Sequence, residues 1–286
     1  TLNSTIITNP TSTSFQYGNN VFEWVIANGI CPDSRDTIVV SVDKLPDNSL
    51  AGIDQTICGT ISTLTANNPS IGTGAWSIAT GTATIATGFN PVTSVTSLNA
   101  GSSSFVWSVT NGVCPANRDT INIFAYAAPD NAVAGADINV CNSTFTLNAN
   151  NPVTGTGNWN VLTGTGTVVT PSANNSLVNS LSFGANHLEW VISNGICPST
   201  RDTISITLDQ MPTVAVAGTD QQWCADSATL MGSTPIIGNG NWTQISGGGI
   251  IVIPANDTTA TKNLTAGQNV FVWSISNGSC PVSSDT

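Results

Sequence analysis

Residues 105–115 read Phe-Val-Trp-Ser-Val-Thr-Asn-Gly-Val-Cys-Pro, and this stretch decides the fold. Phe105, Trp107 and Val109 occupy every second position, which is the period of a β-strand with one face in the core. The Asn-Gly and Cys-Pro pairs that follow are turn signals. Apolar residues return at every second position from Ile121 onward. The sequence therefore predicts a β-hairpin that buries one face.

The same pattern recurs along the chain at an offset of 83 residues. Cysteines follow one another at alternating intervals of 27 and 56 residues. Self-similarity at a fixed period is the signature of a repeat protein. The tryptophans and cysteines that coincide at this offset are Trp24, Trp107, Trp190 and Trp273; Trp76, Trp159 and Trp242; Cys31, Cys114, Cys197 and Cys280; and Cys58, Cys141 and Cys224.

Each repeat is predicted to be an all-β, two-sheet sandwich, because about seven short runs alternate with turn residues and no helical period appears. An immunoglobulin-like topology would place the tryptophans of one repeat, such as Trp76 and Trp107, in the core on adjacent or facing strands. The predicted modules are residues 48–130 and 131–213, with the C-terminal part of a module at 1–47 and a module without its last strand at 214–286. Short links containing proline predict a semi-rigid rod with modules end to end.

The composition predicts a secreted protein. Five Lys and Arg stand against 16 Asp and Glu, so the surface repels nucleic acid and anionic membranes. We expect no nucleic-acid binding and no membrane insertion. Regular cysteines in modules this small indicate disulfides and an oxidising, extracellular compartment. A single histidine and the lack of a Cys-x-x-Cys pair argue against a structural zinc site.

Two disulfide pairings fit the spacing. Pairing within a module joins cysteines 56 residues apart and leaves Cys31, and we favour it because closing such a loop is worth roughly 4 kcal/mol on a chain-entropy estimate. Its bonds are Cys58–Cys114, Cys141–Cys197 and Cys224–Cys280. Pairing across junctions leaves Cys280, and its bonds are Cys31–Cys58, Cys114–Cys141 and Cys197–Cys224.

Three segments carry a family resemblance: Ala-Gly-Ile-Asp-Gln-Thr-Ile-Cys at 51–58, Ala-Gly-Thr-Asp-Gln-Gln-Trp-Cys at 217–224, and Trp-Ser-Val-Thr-Asn-Gly-Val-Cys-Pro at 107–115. They resemble the PKD-like or Ig-like repeats of very large cell-surface adhesins of Bacteroidota. The resemblance covers the whole chain. It implies export by the type IX route, a cell-surface or released fibre, and a role in adhesion, gliding or matrix, without catalytic residues or cofactors.

The leading functional hypothesis is a structural repeat segment of an extracellular adhesin or filament. The alternatives are an array of glycan- or protein-binding modules and the accessory domains of a secreted hydrolase. Expected partners are neighbouring modules of the same chain, other fibre subunits and surface glycans. Trp223 replaces the Ile57 and Val140 of other repeats, so it is the aromatic residue we nominate for a module-specific surface.

Catalytic and metal sites find little support. His187 has no histidine counterpart in other repeats, and Glu23 and Glu189 are the only glutamates. The recurring Asp54, Asp137 and Asp220 are the calcium candidates, with Asp47 or Asp130 contributing. Calcium takes six or more oxygen ligands, and no dense Asp cluster appears, so turn capping is the favoured role of these aspartates.

The Arg-Asp-Thr-Ile motif recurs at 35–38, 118–121 and 201–204. Its isoleucines point inward by the alternation, so its threonines point to solvent. Asp-Thr and Asp-Ser resemble the acceptor motif of Bacteroidota O-glycosylation, which predicts O-linked glycans at Thr37, Thr120, Thr203, Ser227 and Thr258. The alternative is a cross-strand Asp–Arg pair, with Thr present for its β-propensity.

Overall fold

A computed structural model describes residues 11–286 of the chain. The chain divides into two compact units, one comprising Thr1–Ala128 with Gly195–Cys197 and the other Pro129–Asn194 with Pro198–Thr286. Residues 1–10, which belong to the predicted partial module at 1–47, lie outside the described part. Throughout that part the regular secondary structure is β-strand.

Residues 48–130 form a seven-stranded sandwich, as predicted. Its strands are β3 (Gln55–Cys58), β4 (Ser62–Thr65), β5 (Thr73–Thr80), β6 (Thr84–Ile85), β7 (Val92–Thr96), β8 (Gly101–Thr110) and β9 (Asn117–Tyr126). One sheet has the order β3-β9-β8-β5 and the other β4-β7-β6. The first strand, β3, runs parallel to the last strand, β9, and the other pairs are antiparallel. This is an immunoglobulin-like arrangement.

Residues 131–213 repeat the arrangement. The strands are β10 (Ile138–Val140), β11 (Phe145–Thr146), β12 (Thr156–Thr163), β13 (Thr167–Val168), β14 (Leu177–Asn179), β15 (Gly184–Ser193) and β16 (Thr200–Leu208). The sheets have the orders β10-β16-β15-β12 and β11-β14-β13, and β10 is parallel to β16.

The remaining strands belong to residues 18–42 and 214–286. A hairpin of β1 (Gly18–Ile26) and β2 (Ser34–Val42) comes first. The last module contains β17 (Ala228–Met231), β18 (Asn239–Ser246), β19 (Ile250–Ile251), β20 (Thr258–Lys262), β21 (Val270–Ser276) and β22 (Ser283–Asp285). We expected this module to lack its last strand, but β22 occupies that position and pairs with β21 over three residues.

A pair of stacked tryptophans forms the centre of each core. Trp76 of β5 lies opposite Trp107 of β8, with ring centroids 5.1 Å apart, and Trp107 is 0% exposed. The rings of Trp159 and Trp190, and of Trp242 and Trp273, are also 5.1 Å apart. Since all six are buried, the assignment of both tryptophan series to the core is confirmed.

Glycine makes room for the inner tryptophan. A Cβ atom on Gly74 would lie 2.0 Å from the Trp107 ring, and one on Gly157 would lie 1.9 Å from Trp190. The indole lies flat against the backbone of the adjacent strand, which only glycine permits.

Candidate functional site at the module junctions

The two disulfides join cysteines that are 139 residues apart. Cys58 is bonded to Cys197 and Cys141 to Cys280, with Cα–Cα distances of 5.0 and 4.9 Å. Both predicted pairings are therefore wrong. Each bond links the end of the first strand of one module to the β-hairpin loop of the next module.

Strand direction explains the error. Cys58 ends β3 and, because β3 is parallel to β9, it lies beside Tyr126 at the C-terminal end of β9. Cys114 lies in the loop that precedes β9. A ten-residue strand rises about 30 Å, so the two cysteines of one module lie at opposite ends of the sandwich. The next module's hairpin loop is the one that meets Cys58.

In the second unit, the hairpin loop of the last module docks on the end of β16. The Asp209 carboxylate accepts hydrogen bonds from the backbone N–H of Ser279 at 2.7 Å and from its hydroxyl at 2.9 Å. The Asn277 side-chain amide donates to the Gln210 carbonyl at 2.8 Å. The Cys280 N–H closes the turn on the Asn277 carbonyl at 3.1 Å. This places Cys280 against Cys141.

In the first unit, the loop after β8 docks on the end of β2 in the same way. The Asp43 carboxylate accepts from the Val113 N–H at 3.0 Å, and the Asn111 amide donates to the Lys44 carbonyl at 2.8 Å. The Cys114 N–H bonds the Asn111 carbonyl at 3.1 Å. Cys114 itself is a free, partly exposed thiol in the described part of the chain.

The glycine of each Asn-Gly pair is required by this docking as well as by the turn. Gly112 and Gly278 have φ values of +53° and +52°, in the left-handed region. A Cβ there would lie 1.7 Å from the Asp43 carboxylate and 2.1 Å from the Asp209 carboxylate. At Gly195, in the first unit, a Cβ would lie 2.2 Å from the Tyr126 ring. The recurrence of Asn-Gly was a sequence signal of the junction that reading it as turn chemistry alone missed.

The calcium candidates hold backbone N–H groups of the last strand. The Asp54 carboxylate accepts from the Asn122 N–H at 2.8 Å, and Asp137 accepts from the Ser205 N–H at 2.8 Å. The hydrogen bonds from the Asn122 N–H and side-chain amide lower the pKa of Asp54. For Asp220 no such contact is on record. Residues 11–286 contain no group of three or more His, Cys, Asp or Glu residues that could hold a metal ion.

The neighbouring aspartates Asp47 and Asp130 cap turns. Asp47 accepts from the N–H groups of Ser70 and Ile71 at 2.6 and 3.0 Å. Asp130 makes the equivalent bonds to Val153 and Thr154 at 2.6 and 3.1 Å. These carboxylates serve local backbone groups within their own module, which agrees with turn capping.

Packing accounts for the aspartate of the Arg-Asp-Thr-Ile motif. Asp119 accepts from the Ala51 N–H and Asp202 from the Ala134 N–H, both at 2.7 Å, so this aspartate fastens the module's first segment to its last strand. Where the motif's arginine makes an ion pair, its cross-strand partner is a glutamate, at 2.9 Å for Arg35–Glu23 and 2.8 Å for Arg201–Glu189. The predicted cross-strand Asp–Arg pair is therefore wrong. All five predicted glycan acceptors are exposed: Thr37, Thr120, Thr203, Ser227 and Thr258.

Two module-specific aromatic residues lie at the surface. Trp223 is 66% exposed, and its indole N–H donates to the Gln221 side chain at 2.7 Å. Phe89 is 82% exposed and borders a cleft of about 350 Å³ that Pro69 and Pro91 also line. The repeat carries Ser172 where this module has Phe89, so the cleft's aromatic wall is not shared by the module at 131–213.

Comparison with known proteins gives fold-level likeness only. No protein family and no curated protein matches the chain. Sidekick-1 immunoglobulin domains 1–4 match with a TM-score of 0.39 and 12% identity, covering 100% of this chain and 87% of that one. The N-terminal eight Ig domains of Down Syndrome Cell Adhesion Molecule match with a TM-score of 0.36 and 13% identity. That match covers 97% of this chain, which spans 47% of the adhesion molecule's domains.

Titin domains A168–A170 match with a TM-score of 0.37 and 11% identity, covering 84% of this chain and 93% of that one. These likenesses are too distant to say anything about function. The tandem immunoglobulin-like fold stands on the strand order described above. Within residues 11–286 there is also no helical segment with the length and apolar character needed to span a bilayer.

Proposed function

We propose that this chain is a structural segment of an extracellular adhesin or filament, in which each module is covalently fastened to the next. The observation that carries the proposal is the disulfide register. Both bonds join the same two repeat positions, 139 residues apart, and in the second unit the bond accompanies a hydrogen-bonded junction. A pure binding module has no need of bonds that fix its orientation to its neighbour.

Disulfides and a surface poor in charge support secretion. Such bonds persist in oxidising compartments and are rare in the cytosol. Only 7% of residues are charged, so solubility depends on hydroxyl and amide groups or on attached sugars. O-glycosylation at the five exposed Thr and Ser positions remains part of the proposal. Intact mass spectrometry of natively produced protein would test it, since a mass equal to that of the bare chain excludes it.

Residual dipolar couplings test the structural role. In the oxidised chain, the modules at 131–213 and 214–286 should share one alignment tensor, because the Cys141–Cys280 bond and the Asp209 contacts fix their relative orientation. In a Cys141→Ser, Cys280→Ser double variant the two tensors should diverge. Independent tensors in the oxidised chain would contradict the proposal.

A second candidate function is recognition of a glycan or protein by the Phe89 cleft. An exposed aromatic ring beside two prolines offers the stacking surface that sugars and extended peptides use. Binding of the full chain on a glycan array, lost in Phe89→Ala and kept in Trp223→Ala, would support this function. Binding that survives both changes would exclude it.

A further inference from the structure

The free thiol of Cys114 occupies the position of a bonded sulfur. Its Sγ atom lies 3.8 Å from the Asp43 carbonyl oxygen and 3.3 Å from the Lys44 carbonyl oxygen. In the bonded Cys197, the corresponding distances to Tyr126 and Ala127 are 3.7 and 3.3 Å. The two cysteines are thus placed within 0.1 Å of each other relative to the strand end on which their loops dock.

The loop that carries Cys114 is also fully docked. The Asn111, Gly112 and Asp43 contacts match those of Asn277, Gly278 and Asp209 around the bonded Cys280. The thiol is held at the place where a disulfide forms in the other junctions, and it is partly exposed.

We propose that Cys114 is one half of a further inter-module disulfide, whose other half is the cysteine that ends the first strand of another copy of the 83-residue repeat. The chain's cysteines are of two kinds, first-strand and hairpin-loop, and each observed bond joins one of each kind. Cys114 is a hairpin-loop cysteine, and Cys224 is a first-strand cysteine of the kind it would meet. This inference extends the proposed structural role and depends on it for the existence of further repeats.

The bond forms by oxidation of two thiols. The thiols lose two protons and two electrons, and the electrons reduce the disulfide of a thiol oxidant, such as oxidised glutathione, to two thiols. The reaction needs no catalytic group of this chain, because docking already brings the loop cysteine to the strand end.

A chain extended by its own repeat tests the proposal. Residues 1–83 placed before the full 286-residue chain continue the repeat in register, since Thr1 aligns with Thr84. The added copy's Cys58 then lies 139 positions before Cys114. After oxidation with glutathione and alkylation of remaining thiols, the peptide map should show Cys114 linked to a Cys58-containing peptide, with loss of the alkylated Cys114 signal seen in the unextended chain.

The matched control changes only the added copy's Cys58 to Ser, which should restore alkylation of Cys114. If Cys114 of the extended chain stays alkylated while Cys58–Cys197 and Cys141–Cys280 form, the inference is overturned and the proposed structural role is untouched. If those two bonds fail to form in the unextended chain, the proposed function itself fails.

The native protein shows where the second copy comes from. A non-reducing denaturing gel of natively produced protein should show one chain mass if the partner repeat belongs to the same chain, and multiples of it if it belongs to another. Either result supports the inference, whereas Cys114 recovered as a free thiol overturns it.

Discussion

The junction around Asp43 and the junction around Asp209 make the same contacts, but only the second contains a disulfide. In both, an aspartate at a strand end accepts a hydrogen bond from the loop backbone, and an asparagine side chain donates to the next carbonyl. Cys114 is free in the first, and Cys280 is bonded to Cys141 in the second. The comparison teaches that hydrogen bonding and shape dock the loop, and that the disulfide then locks a contact that has already formed.

Removing the lock should have the largest effect. Cys280→Ser should lower the free energy of unfolding of the second unit by about 2–5 kcal/mol, because a loop of 139 residues is no longer closed in the unfolded chain. Cys114→Ser should leave stability unchanged. Urea denaturation of each variant checks this. Equal losses in both variants would mean that Cys114 is bonded within its module after all.

Filling the glycine position should have the next largest effect. Gly278→Ala forces a side chain into a left-handed conformation, at about 1–2 kcal/mol, and pushes aside the Asp209 carboxylate. Gly29→Ala is the matched control, since Gly29 has φ +58° and nothing within 4 Å of the added Cβ. Denaturation should show a larger loss for Gly278→Ala. Equal losses would show that the docking contact contributes nothing.

Removing the aspartate should separate the two junctions. Asp43→Ala and Asp209→Ala each remove a hydrogen bond worth about 0.5–1.5 kcal/mol. The disulfide keeps the Cys280 loop near its site, so amide hydrogen exchange should accelerate more at Val113 in Asp43→Ala than at Ser279 in Asp209→Ala. The same acceleration at both amides would mean that the disulfide does not hold the loop.

Acid should produce the smallest change. Because the Asn122 hydrogen bonds lower the pKa of Asp54 below 3.8, the ionised carboxylate stabilises the fold above pH 3.8. This stabilisation disappears as the pH falls through the lowered pKa. Hydrogen exchange at Asn122 should therefore accelerate in acid, and Asp54→Asn should remove that pH dependence. A pH profile unchanged by the substitution would assign the acid effect to another group.

The repeat, the hairpins, the two-sheet sandwich and the buried tryptophans were all predictable from the sequence, because alternation and period report local structure directly. The disulfide pairing was not, because the 56-residue spacing of Cys58 and Cys114 says nothing of which end of the sandwich each occupies. That depends on β3 running parallel to β9, a tertiary pairing. The roles of Asp54 and Asp119 were missed in detail for the same reason, since their partners lie 68 residues away along the chain.

The disulfide register determines how far the chain can be stretched. A molecule pulled from its ends carries load along the shortest covalent route, and the bond between Cys58 and Cys197 removes the residues between them from that route. Fully extended, 139 residues would span about 470 Å. The two loops overlap, because Cys141 lies inside the first and Cys197 inside the second, so every residue from Cys58 to Cys280 lies within at least one of them. Unfolding a sandwich within these loops therefore releases little contour length until a reductant breaks the bonds, which makes the redox state of the surroundings the control on extensibility.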